Sequence, residues 1–128
     1  MYSFNKCERL CEKRIIDDLF NNASSFYEYP FKVLYKFTEF DSLYNAKILI
    51  SVSKRNIKKS VSRNLLKRRI REAYRLNKHF FLENLKLHNK KLAFAVIYTA
   101  KVPLDYHLIV EKIVLILQGI IKRNEKAD

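Results

Sequence analysis

Residues 92–99, Leu-Ala-Phe-Ala-Val-Ile-Tyr-Thr, are apolar on both faces of a period-two pattern. Successive side chains of a strand point to opposite faces of its sheet, so such a run needs cover on both sides. It reads as a central strand with a layer of structure above and below. Every other segment must then supply a neighbouring strand or part of a cover.

The rest of the chain divides accordingly. Residues 31–37 alternate, with Phe31, Val33, Tyr35 and Phe37 on one face and Lys32, Leu34 and Lys36 on the other. Residues 46–53 alternate again, with Ala46, Ile48, Ile50 and Val52 against Lys47, Leu49, Ser51 and Ser53. Both patterns predict strands. Leu10, Ile15, Ile16, Leu19 and Phe20 recur at helical spacing and predict a helix over residues 10–20, followed by a polar break at 21–25. Asp41 and Ser42 begin a turn. Neither Gly nor Pro occurs between Lys54 and Val102. A helical pattern fills residues 57–77 and runs on, or restarts, through 79–87. Beyond Pro103, residues 104–121 form a closing amphipathic helix whose core face is Leu108, Ile109, Ile113, Ile116, Leu117 and Ile120. The order of helix, strands, helix, strand, helix predicts an α+β sheet with helices packed on it. At 128 residues, 48% of them apolar, the chain fits one folded domain and excludes wholesale disorder.

The formal net charge of +13 makes a polyanion the default partner. Its distribution says more. Residues 54–78 hold eleven Lys and Arg against one acid, Glu72, a net of +10, while the rest of the chain carries only +3. At about 100° per residue, Arg63, Lys67, Arg68, Arg71, Arg75 and Lys78 fall in one arc, with Asn64 and Tyr74 among them. Val61, Leu65, Leu66, Ile70, Ala73 and Leu76 fall opposite, with Arg69 as a misfit. Lys54, Arg55, Lys58 and Lys59 extend the positive field through the preceding loop. So many like charges on one face repel one another, and a face that binds phosphate accounts for them. Arginine suits it because its planar fork meets phosphate with two parallel hydrogen bonds.

Other classes have little support. Residues 1–10 include Asn5, Lys6, Glu8 and Arg9 and no apolar run, unlike a secretory signal, and no apolar stretch is long enough to span a bilayer. Cys7 and Cys11 would share a helix face, but no nearby Cys or His completes a zinc site. They read as ordinary thiols of a reducing cytoplasm. His79, His88 and His107 are scattered, and Asp17-Asp18 is the one adjacent acidic pair, better read as surface charge than as a metal nuclease site. No catalytic or metal-ligating residue is therefore assigned.

Ile50-Ser51-Val52-Ser53-Lys54-Arg55, the loop to Ser62, and Arg63-Asn64-Leu65-Leu66-Lys67-Arg68-Arg69-Ile70-Arg71-Glu72 together resemble the signature of the bacterial ribonuclease P protein family. That signature is a strand ending S-V-x-K-K, a short basic loop, and a helix reading R-N-R-x-K-R-x-x-R-E. Arg63, Asn64, Lys67, Arg68, Arg71 and Glu72 match it; Leu65 replaces the third residue of R-N-R, on the apolar arc. Ala23 and Leu49 stand where the family often has Gly.

The resemblance implies a four-stranded sheet with three helices, in the order α-β-β-β-α-β-α, and a left-handed β-α-β crossover. It implies one domain over residues 1–128, with a compact core at about 7–121. It also implies a cytoplasmic protein component of an endoribonuclease that removes the 5′ leader from precursor tRNA, with catalysis carried by an RNA subunit and Mg²⁺ bound mainly by that RNA. The partners are then the catalytic RNA and the leader, with no membrane. Phosphate contacts fall to Lys54, Arg55, Lys58, Lys59, Arg63, Lys67, Arg68, Arg71 and Arg75. Asn64 either bonds RNA or braces the loop, and Glu72 is better suited to orienting an arginine than to touching RNA. A cleft between the first helix and the sheet would take the leader, with Ile16, Phe20, Phe31, Tyr35, Ser51 and Ser53 as candidates. The residues leave open which sheet face lines it. The residues alone also allow a ribosomal-type structural RNA-binding protein.

Overall fold

The computed structural model describes residues 8–40 and 44–127. Its elements run α1 (Lys13–Asn22), β1 (Ser24–Glu28), β2 (Phe31–Phe37), β3 (Ala46–Val52), α2 (Ser60–Asn77), α3 (His79–Leu87), β4 (Leu92–Tyr98) and α4 (Tyr106–Ala127). The sheet order is β1-β2-β4-β3. β4 is antiparallel to β2 and parallel to β3, so α2 and α3 form the crossover between parallel neighbours. Cys7 and the turn expected at Asp41 and Ser42 lie outside the described residues.

β4 is central, and its two faces are buried by different layers. Phe94, Val96 and Tyr98 point into a core formed with Leu66, Ile70 and Tyr74 of α2, Phe81 and Leu85 of α3, and Ile109, Ile113, Ile116 and Leu117 of α4. Ala93 and Ala95 point the other way, into a smaller core with Leu34 of β2, Leu10, and Ile15 and Leu19 of α1. The small alanines let α1 lie close on this face. On the larger side, the Tyr74 and Phe81 rings meet Phe94 edge-on at 6.0 and 5.6 Å, the arrangement aromatic quadrupoles favour.

The structure departs from the sequence expectations in three places. Helix α1 begins at Lys13 rather than at residue 10, because the chain before it is extended along the edge of β3. Arg9 bridges Ile48 in parallel and the Leu10 amide donates to the Ile48 carbonyl at 2.9 Å. A strand, β1, begins at Ser24 within the expected polar break and runs beyond it to Glu28, paired with β2 through a tight turn at Tyr29-Pro30. Being an edge strand and largely exposed, β1 carries no apolar alternation. The described residues hold four helices where the resemblance implies three. Of the two readings of residues 57–87 the structure has the restart, the basic helix stopping at Asn77 and a new one beginning at His79. Between them Lys78 turns inward, its ammonium 2.6 Å from the carboxylate of Glu8, with both side chains buried. Helix α3 ends on Asn89, with φ of 52°; its amide donates to Lys86 and that of Lys90 to Leu85, a paired closure that satisfies the last carbonyls.

Phe94 is the test of this core. Phe94→Ala is expected to cost about 3–5 kcal/mol, whereas Leu115→Ala, on the half-exposed side of α4, should cost less than about 1 kcal/mol. Urea unfolding of both variants checks this; equal losses would contradict it.

Candidate nucleic-acid interface

Helix α2 buries Leu66, Ile70, Ala73 and Tyr74. That stripe fixes which way the remaining side chains face. Lys54, Arg55, Lys58, Lys59, Asn64 and Arg68 are exposed, and Arg63, Lys67, Arg71 and Arg75 are partly so. The predicted phosphate-binding residues therefore share one continuous surface made by the loop and the outer side of α2.

Several members have more particular roles. Arg63 donates from Nη1 to the carbonyls of Ile57 and Lys58, at 2.9 and 2.8 Å. It thus braces the loop that carries Lys58 and Lys59, the role Asn64 was the alternative candidate for. Glu72 does orient an arginine: Arg75 donates to it from Nε at 3.0 Å and Nη2 at 2.5 Å. Arg69, the misfit of the apolar arc, reaches across to the Leu104 carbonyl at 3.0 Å and ties α2 to the loop before α4.

The helical arc needs four corrections. Tyr74, placed among the cations, is fully buried against Phe94. Lys78 belongs to the buried pair with Glu8 rather than to the surface. Val61 and Leu76, placed on the apolar arc, are 79% and 41% exposed. Val61 and Leu76 lie near the two ends of α2, outside the stripe of Leu66, Ile70, Ala73 and Tyr74 that the helix buries.

Two basic clefts were not foreseen. One, of about 340 Å³, is lined by Arg9, Arg68, Arg71, Glu72 and Arg75. The other, of about 490 Å³, lies between the loop residues Arg55, Lys58 and Lys59 and Lys101 beyond β4. Arg9 and Lys101 come from distant parts of the sequence, and no local pattern marks them. Burial, and then the nearby charge of Arg9, hold the Arg71 guanidinium below its ordinary value.

The second group of candidates separates by sheet face. Helix α1 covers the face that carries Leu34, Leu49, Ala93, Ala95 and Ile97. By strand register, Lys32, Ile97 and Ser51 form a row across this face. Lys32 is exposed and the other two are half-buried. Ile16 packs at the margin of the small core, and Phe20, one turn on, is 51% exposed. Ser53 follows β3, and its Oγ accepts from the Asn56 amide at 3.3 Å. Phe31 and Tyr35 are on the wrong face. Phe31 is fully buried against Tyr98 at 5.7 Å, and Tyr35 packs between Phe26 and Phe37 on the main core. Neither can line a cleft beneath α1. Two ion pairs moor α1 to its face, Lys36 to Asp18 at 2.5 Å and Lys47 to Glu12 at 2.9 Å.

Among the described residues, no three His, Cys, Asp or Glu converge as metal ligands, and no helix is long and apolar enough to cross a membrane.

A family model described as Ribonuclease P matches residues 4–114. The ribonuclease P protein component of Porphyromonas gingivalis strain W83 is 35% identical over 85 residues, which cover 66% of this chain and 62% of that relative. The match therefore spans somewhat less than two thirds of the curated relative's length. The ribonuclease P protein from Thermotoga maritima has a similar structure, with a TM-score of 0.66 and 26% identity over 88% of this chain and 96% of that one. The protein from Staphylococcus aureus, at 22% identity and a TM-score of 0.61 over 88% and 94%, shares the fold.

The mooring of α1 can be read by titration. The hydrogen bond from Lys36, with help from Asn22, holds the Asp18 carboxyl below its ordinary value. A carboxyl depressed by folding contributes stability that is present above its unfolded value and lost as pH falls through the folded one. Lys36→Met should move the Asp18 midpoint, followed by NMR, upward towards the ordinary carboxylate value; an unmoved midpoint would contradict the contact.

Proposed function

The chain belongs to the ribonuclease P protein family, and on that premise we propose that it is the RNA-binding protein subunit of ribonuclease P. In this reading it acts in the cytoplasm and assists a catalytic RNA in removing the 5′ leader from precursor tRNA. The observation that carries the proposal is the continuous cationic surface of the loop and α2, made from the residues that match the family signature.

The chemistry follows from that surface. Lys54, Arg55, Lys58, Lys59, Lys67, Arg68, Arg71 and Arg75 neutralise phosphates of the catalytic RNA, while Arg63 holds the loop in shape. Such contacts fix position and affinity without reading sequence, as suits a subunit that meets many precursors. The face beneath α1 takes the single-stranded leader. Phe20 offers a ring for a base to stack on, which tolerates any base. Ile16 and Ile97 supply apolar contact, Ser51 a hydroxyl and Lys32 a charge. The protein contributes no catalytic group. A surface rich in guanidinium and ammonium groups repels divalent cations, so Mg²⁺ belongs with the RNA phosphates. By neutralising some of those phosphates, the protein lowers the Mg²⁺ needed to bring leader and catalytic RNA together.

Reconstitution with the catalytic RNA tests the whole reading. Added protein should restore leader cleavage at low Mg²⁺, and a well-folded protein that gives no rescue would overturn it. Binding should weaken steeply with salt. Six to ten phosphate contacts correspond to a loss of roughly 10³ to 10⁵ in affinity between 50 and 200 mM salt, with duplex DNA as guide. The double variant Arg68→Glu, Arg71→Glu should weaken binding and flatten that dependence without unfolding the protein. Phe20→Ala should weaken leader binding by about 1–3 kcal/mol while affinity for the catalytic RNA stays unchanged, measured with precursors bearing long and minimal leaders.

A further inference from the structure

Arg9 lies far from α2 in the sequence, yet it faces Arg68, Arg71 and Arg75 across one cleft of about 340 Å³. Its position is imposed from both sides. Leu10 is buried in the small core, and its amide is bonded to the Ile48 carbonyl at 2.9 Å. On the other side, Glu8 is fully buried in its ion pair with Lys78. Between these anchors the backbone of Arg9 is held at the edge of β3, beside α2.

The lining of this cleft gathers four arginines, Arg9, Arg68, Arg71 and Arg75, with one acid, Glu72. Like charges gathered in one cleft oppose one another; burial, and then the charge of Arg9, hold the Arg71 guanidinium below its ordinary value. An anchored segment that holds a cation where cations already crowd is explained by an anion that occupies the cleft. Phosphate fits because its oxygens accept from several guanidinium forks at once. We propose that Arg9 completes, with Arg68 and Arg71, a cradle for a backbone phosphodiester of RNA, so that the binding surface extends from α2 onto the edge of β3. This deepens the reading of α2 as an RNA-docking face and rests on it. The cleft continues past Arg9 and Arg71 into a smaller one lined by Leu10, Ile48, Leu49 and Ile50, so the cradle sits where the α2 surface meets the sheet margin.

The test compares Arg9→Ala, Arg9→Lys and Arg68→Ala on two probes, the catalytic RNA and a short mixed-sequence RNA duplex, with affinity followed against salt. Arg9→Ala should lower the log–log salt slope by about 0.7 to 0.9, one phosphate contact, as Arg68→Ala does. Arg9→Lys should keep the slope while binding more weakly, because it retains the charge and loses the fork. A purely structural Arg9 would shift the unfolding midpoint and leave the slope intact, which would overturn the cradle. A slope lowered by Arg68→Ala but not by Arg9→Ala overturns the cradle and leaves the function standing. Slopes lowered by neither variant overturn both. Slopes lowered on the duplex but not on the catalytic RNA uphold the cradle as a phosphate site and overturn its place in the holoenzyme.

Discussion

Burial of β4 on both faces decides where every other element lies. A strand apolar on each side exposes nothing to water without loss, and each buried side chain of Phe, Val or Leu size contributes about 1.5–3 kcal/mol. The large side chains, Phe94, Val96 and Tyr98, take the thicker layer of α2, α3 and α4; the small ones, Ala93 and Ala95, take the single helix α1. With β3 at the sheet edge beside β4, α2 packs over the margin of the sheet. It buries one stripe and leaves the rest of its circumference to solvent. The basic surface exists because the core claims only that stripe.

The acids of the molecule sharpen the same division. Glu8, Glu12, Asp18 and Glu28 pair with Lys78, Lys47, Lys36 and Lys112. Three of these pairs draw on lysines outside the basic segment, and the fourth removes Lys78 from it. The body of the protein is thus close to internally neutralised, while Glu72 alone stands among the charges of α2 and is itself engaged with Arg75. Apart from the buried Glu8–Lys78 pair, such partly exposed pairs contribute little to stability, and their larger effect is on the field, which is concentrated on one side. A field so placed steers a polyanion to that side at encounter.

What the sequence disclosed depended on whether the signal was local. Strand β2 has the expected bounds and β4 falls one residue short of them, because period two is a property of the strand itself. Leu10 misled because an apolar residue ahead of a helix looks the same whether it continues the helix or lies along a sheet edge. β1 gave no signal because an exposed edge strand need not alternate. Phe31 and Tyr35 were assigned to the cleft because both faces of β2 carry apolar residues, and only the placement of α1 chooses between them. Tyr74 entered the cationic arc because its phenol reads as polar, although its ring is the part that packs on Phe94. Arg9 could not be foreseen, since its place beside Arg71 is set by a long-range backbone bridge and a buried ion pair.

The two RNA surfaces of the proposed function lie on opposite sides of one sheet, and this sets their separation. Layers packed on a sheet stand about 10 Å from it, so an RNA held along α2 and a strand held beneath α1 are kept apart by a fixed thickness of packed protein. At the outer edge of β3, where residues 8–10 are anchored, two neighbouring clefts share Arg9 and Arg71. A close-packed sheet compresses little. In the proposed function, the sheet is then a rigid spacer between the basic surface on one side and the proposed leader face on the other. Rigidity of this kind supplies orientation, which by itself can account for a large part of a rate enhancement.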